Sequence, residues 1–191
     1  MKLPEHFASV PSVGKITPKP GQENAAEAMR KWVKAETPRV ILVGGVGSGK
    51  TFLAASAVRT LQALKDERYT DEVDIRRHAC FLNVPRFLFE ARGAINGLNR
   101  VDHNRTVDHL LSSCTAVVLD DLGAERSTDY ANETLYVIID ALYGRNAQTL
   151  VTTNVKLSVL AESGSARIVS RLSEGATIVN MTIADLRVDR A

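Results

Sequence analysis

Four residues early in the chain fit a template for binding phosphate. Gly44, Gly49, Lys50 and Thr51 fill the spacing G-x-x-x-x-G-K-[ST]. Glycines let backbone N–H groups turn toward an anion, and the start of a helix adds unpaired N–H donors and its positive dipole end. The lysine would lie between the β- and γ-phosphates, and the threonine hydroxyl would bind Mg²⁺. The pattern therefore predicts a nucleotide-phosphate site, formed by Gly45, Val46, Gly47, Ser48, Gly49, Lys50, Thr51 and Phe52.

Two adjacent carboxylates follow another apolar run. Asp120 and Asp121 come directly after residues 116–119, whose side chains are all apolar. Ligands bind at the carboxyl ends of the strands of a parallel sheet, so we expect both acids to face the phosphate loop. Asp120 is the candidate for holding Mg²⁺ together with Thr51, and Asp121 is the candidate for polarising the attacking water. The alternative is that both residues are exposed acids in a loop. The presence of the phosphate loop makes this the weaker interpretation.

Three further polar residues could complete this site. Asn154 ends a later strand, where its amide could position the same water or contact the γ-phosphate, although asparagine is also a common turn residue. Arg167 and Arg171 lie four residues apart and so share one face of a predicted helix. That face is either a solvated basic surface or the source of an arginine presented to the nucleotide of a neighbouring subunit.

Alternating strands and helices must position these residues. We expect strands at 40–43, 78–84, 115–119, 148–153 and 177–181, the first of which is a continuous apolar run. Apolar residues at helical spacing predict helices at 22–34, after Thr51, and at 85–95, 101–113, 129–143, 157–161 and 166–172. This alternation implies a parallel sheet with right-handed crossovers, and two helices separate the second strand from the third.

The composition fits one α/β domain. The chain has 191 residues, of which 45% are hydrophobic and 24% charged, and a net charge of +2 argues neither for nor against nucleic acid. We expect an extended arm at 1–20, which holds four of the six prolines, and one domain at 21–191. Cys80 and Cys114 are expected to be buried thiols rather than a disulfide or a metal site. No apolar stretch is long enough to span a membrane and there is no signal peptide, so we expect a cytoplasmic protein.

With these residues in place, the chain resembles the AAA+ ATPases of the DnaC/DnaI helicase-loader and IstB group, within the initiator and loader clade. The phosphate loop at 44–51 is shared by many families. Two stretches are more selective, namely Leu-Asp-Asp-Leu-Gly-Ala-Glu at 119–125 and Arg-Ile-Val-Ser-Arg-Leu at 167–172. The resemblance covers nearly the whole chain, from about residue 7 to residue 187.

The resemblance implies an α/β P-loop NTPase fold. This is a three-layer sandwich, with a five-stranded parallel sheet, helices on both faces and a two-helix insertion after the second strand. It implies ATP and Mg²⁺ as cofactors, Asn154 as sensor 1 and Arg171 as arginine finger, with Arg167 as a secondary candidate. Asp121 replaces the glutamate of many AAA+ proteins, which implies slow, switch-like hydrolysis. Members of the group usually have a further N-terminal domain and many AAA+ proteins a helical lid, and neither is expected here.

The resemblance also implies partners. In this clade the inserted helices bind single-stranded DNA, and four arginines could meet its phosphates, with solvated surface as the alternative: Arg86, Arg92, Arg100 and Arg105. We therefore expect an ATP-dependent DNA-replication factor that self-assembles and helps to load a replicative helicase. The alternatives are an IstB-like transposition ATPase with a transposase partner and a preference for duplex DNA, a P-loop kinase acting on a small metabolite, and a nucleotide-gated adaptor without hydrolysis.

Overall fold

The computed structural model describes residues 3–67, 79–95, 107, 112–125, 128–183 and 185–186. Two short 3-10 turns, Glu5–Phe7 and Val13–Lys15, precede the regular elements. These are α1 (Glu23–Val33), β1 (Arg39–Gly44), α2 (Lys50–Glu67), β2 (Ala79–Asn83), α3 (Val84–Ile95), β3 (Ala116–Leu122), α4 (Asp129–Gly144), β4 (Gln148–Thr153), α5 (Leu157–Leu160), α6 (Ala166–Ser173) and β5 (Ala176–Met181). A π-helical turn at Ala161–Ser165 joins α5 to α6.

The five strands form one parallel sheet in the order β2-β3-β4-β1-β5. Successive side chains of a strand point to opposite faces, so each strand contributes to two hydrophobic cores. On one face, Val40 and Leu42 of β1 pack with α1 and α2. On the other, Ile41 and Val43 pack with α3, α4 and α6. The structure is therefore the expected three-layer sandwich.

The N-terminal arm is packed onto the first of these cores. Val10, Val13 and Ile16 are all buried there, and the backbone N–H of Val13 donates a hydrogen bond to Oγ1 of Thr60 on α2. Arg59 also donates to the carbonyl oxygen of Ala8. These contacts hold the arm beside the helix that begins at the phosphate loop.

The strands and helices agree with the predicted order, with one extension and one region that stays untested. The third strand runs on to Leu122, so it includes Asp120 and Asp121, which were expected just beyond its end. The first inserted helix is confirmed as α3. The second, predicted at 101–113, lies almost wholly outside the described residues.

The expectation for the two cysteines is wrong. Cys80 and Cys114 form a disulfide and both are buried. Cys80 lies on β2, and Cys114 comes two residues before β3 begins at Ala116, which is paired with Ala79. This pairing brings the two Cα atoms within 6.0 Å, inside the range that a disulfide bridges. A separation of 34 residues in the chain carries no sign of this proximity.

No helix in the described ranges is long and apolar enough to cross a lipid bilayer.

Candidate nucleotide-binding site

The phosphate loop joins β1 to α2, as the sequence predicts. Gly47 and Gly49 have φ angles of +75° and +90°, which an L side chain rarely adopts, so glycine is required at both positions. Helix α2 begins at Lys50, so its first unpaired N–H groups lie at this loop. Ser48 is fully buried, and its hydroxyl donates a hydrogen bond to the carbonyl oxygen of Gly45 at 2.9 Å. This turn is shaped to surround an anion.

The ammonium group of Lys50 is directed back onto the loop. Its Nζ donates to the carbonyl oxygens of Gly44 and Gly45, at 2.9 and 2.7 Å, and lies 3.2 Å from Ser48 Oγ. Its charge is also close enough to Asp121 to lower the pKa of that carboxyl group. The structure thus brings the lysine of the loop and the acids of β3 together at the carboxyl edge of the sheet.

Asp120 is a buried carboxylate held by both neighbouring strands. Its Oδ1 accepts a hydrogen bond from the Thr152 hydroxyl of β4 at 2.7 Å. Its Oδ2 accepts from the Asn83 amide at the end of β2, at 3.3 Å. These two contacts orient the carboxylate, as the surrounding polar groups of a metal ligand commonly do.

Asp121 has a strained backbone at a break in the sheet. Its φ of +63° lies in the left-handed region, and the β3–β4 register shifts between Leu119 and Leu122. The backbone N–H donates to Thr152 Oγ1 at 2.9 Å, and the side-chain Oδ1 accepts from Asn154 Nδ2 at 2.7 Å. This local distortion turns the second acid away from the direction that a regular strand would give it.

Burial raises the pKa of the Asp121 carboxyl group, and the nearby charge of Asp120 raises it further. Lys50 and the hydrogen bond from Asn154 act in the opposite direction, because both favour the ionised form. The net shift is upward. A carboxylate with a raised pKa is a stronger base than an exposed aspartate, which suits a group that accepts a proton from water.

The residues suited to Mg²⁺ are Thr51 and Asp120, both of which offer oxygen. The described part of the chain contains no cluster of three or more His, Cys, Asp or Glu residues that could hold a metal by themselves. Mg²⁺ is usually bound through one or two protein oxygens together with substrate phosphates and water. The buried, doubly oriented Asp120 carboxylate is the suitable protein ligand for it.

Three contributors to this site were missed in the sequence. Thr152 bridges Asp120 and Asp121, and Asn83 supports Asp120, although neither was assigned a role. Gln22 is buried, and its Nε2 donates to the carbonyl oxygen of Ser48 at 2.9 Å. A polar residue in the last position of a strand, or in the position before it, was the available signal for Asn83 and Thr152. Nothing in the sequence links Gln22 to a loop 26 residues away.

A segment after β5 also contacts the phosphate loop. The backbone N–H of Leu186 donates to the carbonyl oxygen of Gly47 at 3.1 Å. The Asp185 carboxylate lies against the Cα of Gly47, where any Cβ would clash with it. The loop is therefore bordered by the chain before α1 on one side and by residues 185–186 on another.

The two arginines both lie on α6. Arg171 Nε forms an ion pair with Asp140 Oδ1 on α4, and one terminal nitrogen donates to the Tyr136 hydroxyl at 3.1 Å. Arg167 is exposed one turn earlier on α6. Among the four arginines considered for DNA, Arg86 pairs with Glu90 and Arg92 donates to Thr128 Oγ1. The other two, Arg100 and Arg105, lie outside the described residues.

The chain was compared with protein families and with solved structures. Residues 15–141 match the family model ResIII, described as Type III restriction enzyme, res subunit. No curated protein matches the chain in sequence. Residues 15–141 include the phosphate loop and the two acids of β3, and they amount to more than half of the chain.

Several solved structures share the fold. A structure of the DnaC helicase loader has a TM-score of 0.75 and 22% identity, with 94% of this chain and 100% of that chain covered. One of DnaI has a TM-score of 0.69 and 20% identity, covering 96% and 93%. Replication initiator DnaA bound to AMPPCP and single-stranded DNA has a TM-score of 0.72 and 18% identity, covering 94% of this chain and 52% of that one. The chain therefore belongs to the family described as Type III restriction enzyme, res subunit, and its fold is the AAA+ P-loop NTPase fold of the DnaC and DnaI helicase loaders.

Proposed function

We propose that this chain is an ATP-dependent DNA-replication factor that binds ATP and single-stranded DNA, self-associates, and helps to load a replicative helicase. Residues 21–191 would form the ATPase domain and residues 1–20 an arm packed against it. Hydrolysis would be slow and would act as a switch that releases a partner. The likeness in fold to DnaC, DnaI and DnaA supports this choice among P-loop NTPases.

One observation carries the proposal: Asp121 lies between the charge of Lys50 and the amide of Asn154, on a backbone strained into the left-handed region. Strain of this kind persists where surrounding contacts enforce it, and it clusters at functional sites. A purely structural acid at the end of a strand would have no need of it. The cluster is therefore best understood as a hydrolytic site.

The chain's own residues divide the chemistry of ATP hydrolysis among them. A water molecule held by Asp121 and Asn154 attacks the γ-phosphorus, and the bond to the oxygen bridging the β- and γ-phosphates breaks. Asp121 accepts the proton from the water, and the products are ADP and phosphate. Lys50 and the amides of the loop neutralise negative charge on the phosphates. Mg²⁺ held by Thr51 and Asp120 would supply further charge neutralisation.

The position of Arg171 supports action on a neighbouring subunit's nucleotide. Helix α6 leads into β5, whose first residue pairs with Arg39 at the start of β1. The Tyr143 ring lies 4.9 Å from the Arg39 guanidinium and 5.8 Å from that of Arg171. Arg171 is thus near the amino edge of the sheet, while the phosphate loop follows the opposite end of β1, about 16 Å away along the strand. An arginine so placed is suited to act between subunits.

The single-stranded DNA component of the proposal draws on DnaA, whose structure contains such DNA. On this chain the exposed residues of α3 include Arg86, Phe89 and Arg92. Cationic and aromatic side chains together suit a single strand, because phosphates need charge and unstacked bases need a flat apolar partner. The ion pair of Arg86 with Glu90 is exposed, so it would cost little to exchange for a phosphate.

The test compares the wild type with Lys50→Ala and Asp121→Asn. ATP should raise the melting temperature of the wild type and of Asp121→Asn, since both bind it, and should fail to do so for Lys50→Ala. Hydrolysis should be lost in both variants. Sedimentation should show ATP-dependent self-association of the wild type that is strengthened by single-stranded DNA.

Each result that differs from these expectations would contradict one part of the proposal or favour one of its alternatives. Tight ATP binding by Lys50→Ala would contradict the phosphate-loop role. Self-association favoured by duplex DNA would indicate the IstB-like alternative. Phosphorylation of a small metabolite, with hydrolysis indifferent to DNA and to protein concentration, would indicate a kinase.

A further inference from the structure

Arg171 is held in a fixed position by three side chains of α4. Its Nε is paired with Asp140, one terminal nitrogen donates to the Tyr136 hydroxyl, and the guanidinium carbon lies 5.0 Å from the Tyr136 ring centroid. The Tyr143 ring is 5.8 Å away. Cationic groups are attracted to the faces of aromatic rings, so the two tyrosines and the carboxylate all favour the same location for the charge.

The tyrosines are supported in turn. The Tyr143 hydroxyl donates to Glu174 Oε2 at 2.8 Å, and the Arg39 guanidinium lies over the Tyr143 ring. Arg39 is itself buried, and its Nη1 donates to the carbonyl oxygen of Glu174 at 2.9 Å. The group that holds Arg171 is therefore tied to Arg39 at the start of β1 and to Glu174 in the connection between α6 and β5.

These contacts leave much of the guanidinium available. An arginine has five N–H donors. One is used toward Asp140 and one toward Tyr136, and Nη1 has no hydrogen-bond partner among the residues that the structure describes. The side chain is 30% exposed. A guanidinium that is oriented along one edge and open along another can bind an anion that approaches from outside the molecule.

Pre-orientation has an energetic advantage for such a group. A free arginine side chain loses rotamer entropy when it is fixed. Arg171 has already lost much of this freedom in the isolated chain, so little remains to be lost when it binds. Arg167 differs, because it is exposed on the same helix and shows no ion pair within the described part of the chain.

We infer that Asp140 and Tyr136 are positioning residues, which hold Arg171 ready to bind the nucleotide phosphates of a neighbouring subunit. This inference rests on the proposed function, since it assumes that Arg171 acts between subunits. It goes beyond it by assigning a role to α4, whose residues do not contact the phosphate loop. It also selects Arg171 over Arg167 on the basis of contacts in the structure.

The first experiment measures ATP hydrolysis by Asp140→Ala and Tyr136→Phe at protein concentrations that give full assembly. Both variants should lower kcat, Asp140→Ala by about 10-fold to 100-fold, because a misplacement of about 1 Å can cost a factor of this size. The KM and Kd for ATP should not change. Tyr136→Phe removes a single oxygen atom and so tests the same role with little risk to folding.

Two controls define the effect. Glu133→Ala removes a carboxylate from the same helix two turns earlier and should leave kcat unchanged. The double variant Asp140→Ala with Arg171→Ala should be no slower than Arg171→Ala alone, because a positioning residue has no effect once its arginine is absent. A further loss in the double variant, or wild-type kcat for Asp140→Ala, would overturn the inference.

A mixing experiment separates positioning from damage to the fold. Asp140→Ala retains an intact nucleotide site, and Asp121→Asn retains an intact Arg171. Mixed in equal amounts, they should hydrolyse ATP faster than the sum of the two alone, as should Arg171→Ala mixed with Asp121→Asn. A gain for the second mixture without one for the first overturns the positioning role. No gain in either mixture, with wild-type activity in Arg171→Ala, overturns the proposed action between subunits and this inference with it.

Discussion

Asp120 and Asp121 are adjacent in the chain, yet their surroundings differ. Asp120 is buried, and both of its oxygens accept hydrogen bonds from neighbouring strands, which suits a group that holds a cation. Asp121 has one such bond, a strained backbone and a raised pKa. At the residue scale, the roles that we propose for Asp120 as metal ligand and for Asp121 as base rest on these contacts rather than on the residue type.

The raised pKa of Asp121 predicts the pH dependence of hydrolysis. The ionised carboxylate is the active form of a general base, so activity should be lost as the pH falls through this raised pKa. Asn154→Ala removes a hydrogen bond that favours the ionised form, which raises the pKa further. The acid limb of kcat should therefore move to higher pH in this variant.

The measurement is a pH profile of kcat for the wild type, Asn154→Ala and the control Asn180→Ala. Asn180 is exposed on β5, so its removal should leave the profile where it was. An acid limb in Asn154→Ala at the wild-type position, or at lower pH, would contradict the role given to Asn154.

At the scale of elements, a side chain of β4 forms hydrogen bonds with both acids of β3. Thr152 has no exposed surface, and its hydroxyl donates to Asp120 while accepting from the backbone of Asp121. A single side chain on one strand thus fixes both the carboxylate and the backbone distortion of its neighbour. The register shift after Leu119 is where this arrangement begins.

Thr152→Val tests this bridge with almost no change in side-chain shape. It leaves a buried backbone N–H and one carboxylate oxygen without their partner, and such groups cost about 1–3 kcal/mol each. We expect a clear loss of stability in urea denaturation and a marked loss of hydrolysis. The matched control is Thr149→Val at the other end of β4, where the hydroxyl donates to the carbonyl oxygen of Ala147. If both variants lose hydrolysis equally, Thr152 has no special relation to the acids.

At the scale of the whole molecule, the sheet is held together at both of its ends. The N-terminal arm contacts α2 and Gln22 contacts the phosphate loop, while Arg39, Tyr143 and Glu174 link the opposite edge to α4 and α6. The disulfide between Cys80 and Cys114 ties β2 to the start of β3. The phosphate loop thus lies at one edge of the sheet and Arg171 near the other.

Reduction of the disulfide should destabilise the whole domain. Closing a loop across a separation of 34 residues restricts the unfolded chain and is worth about 4 kcal/mol in the chain-entropy description. Urea denaturation with and without a thiol reductant measures this difference. The double variant Cys80→Ala with Cys114→Ala should unfold at the same urea concentration under both conditions. A wild type that is equally indifferent to the reductant would contradict the prediction.

Much of the fold follows from local patterns in the sequence. Segments rich in apolar and β-branched residues mark the five strands, helical spacing marks the helices between them, and their alternation implies a parallel sheet. The phosphate loop could be assigned because its glycines, lysine and threonine are consecutive, so the backbone itself places them together. The carboxyl edge of a parallel sheet then predicted that Asp120, Asp121 and Asn154 would face that loop.

The amino-acid sequence by itself determined the elements, their order and the residues that are brought together by sharing one strand end or one turn. Tertiary structure alone decided the partners that depend on which strands lie side by side and in what register: Thr152 with both acids, Asn83 with Asp120, Cys80 with Cys114, and Asp140 with Arg171. The physical reason is the distance along the chain over which each effect acts. Backbone propensity and hydrophobic periodicity act over a few residues, whereas these contacts join residues more than 30 positions apart, and only the packed sheet and its helices bring them within hydrogen-bond distance.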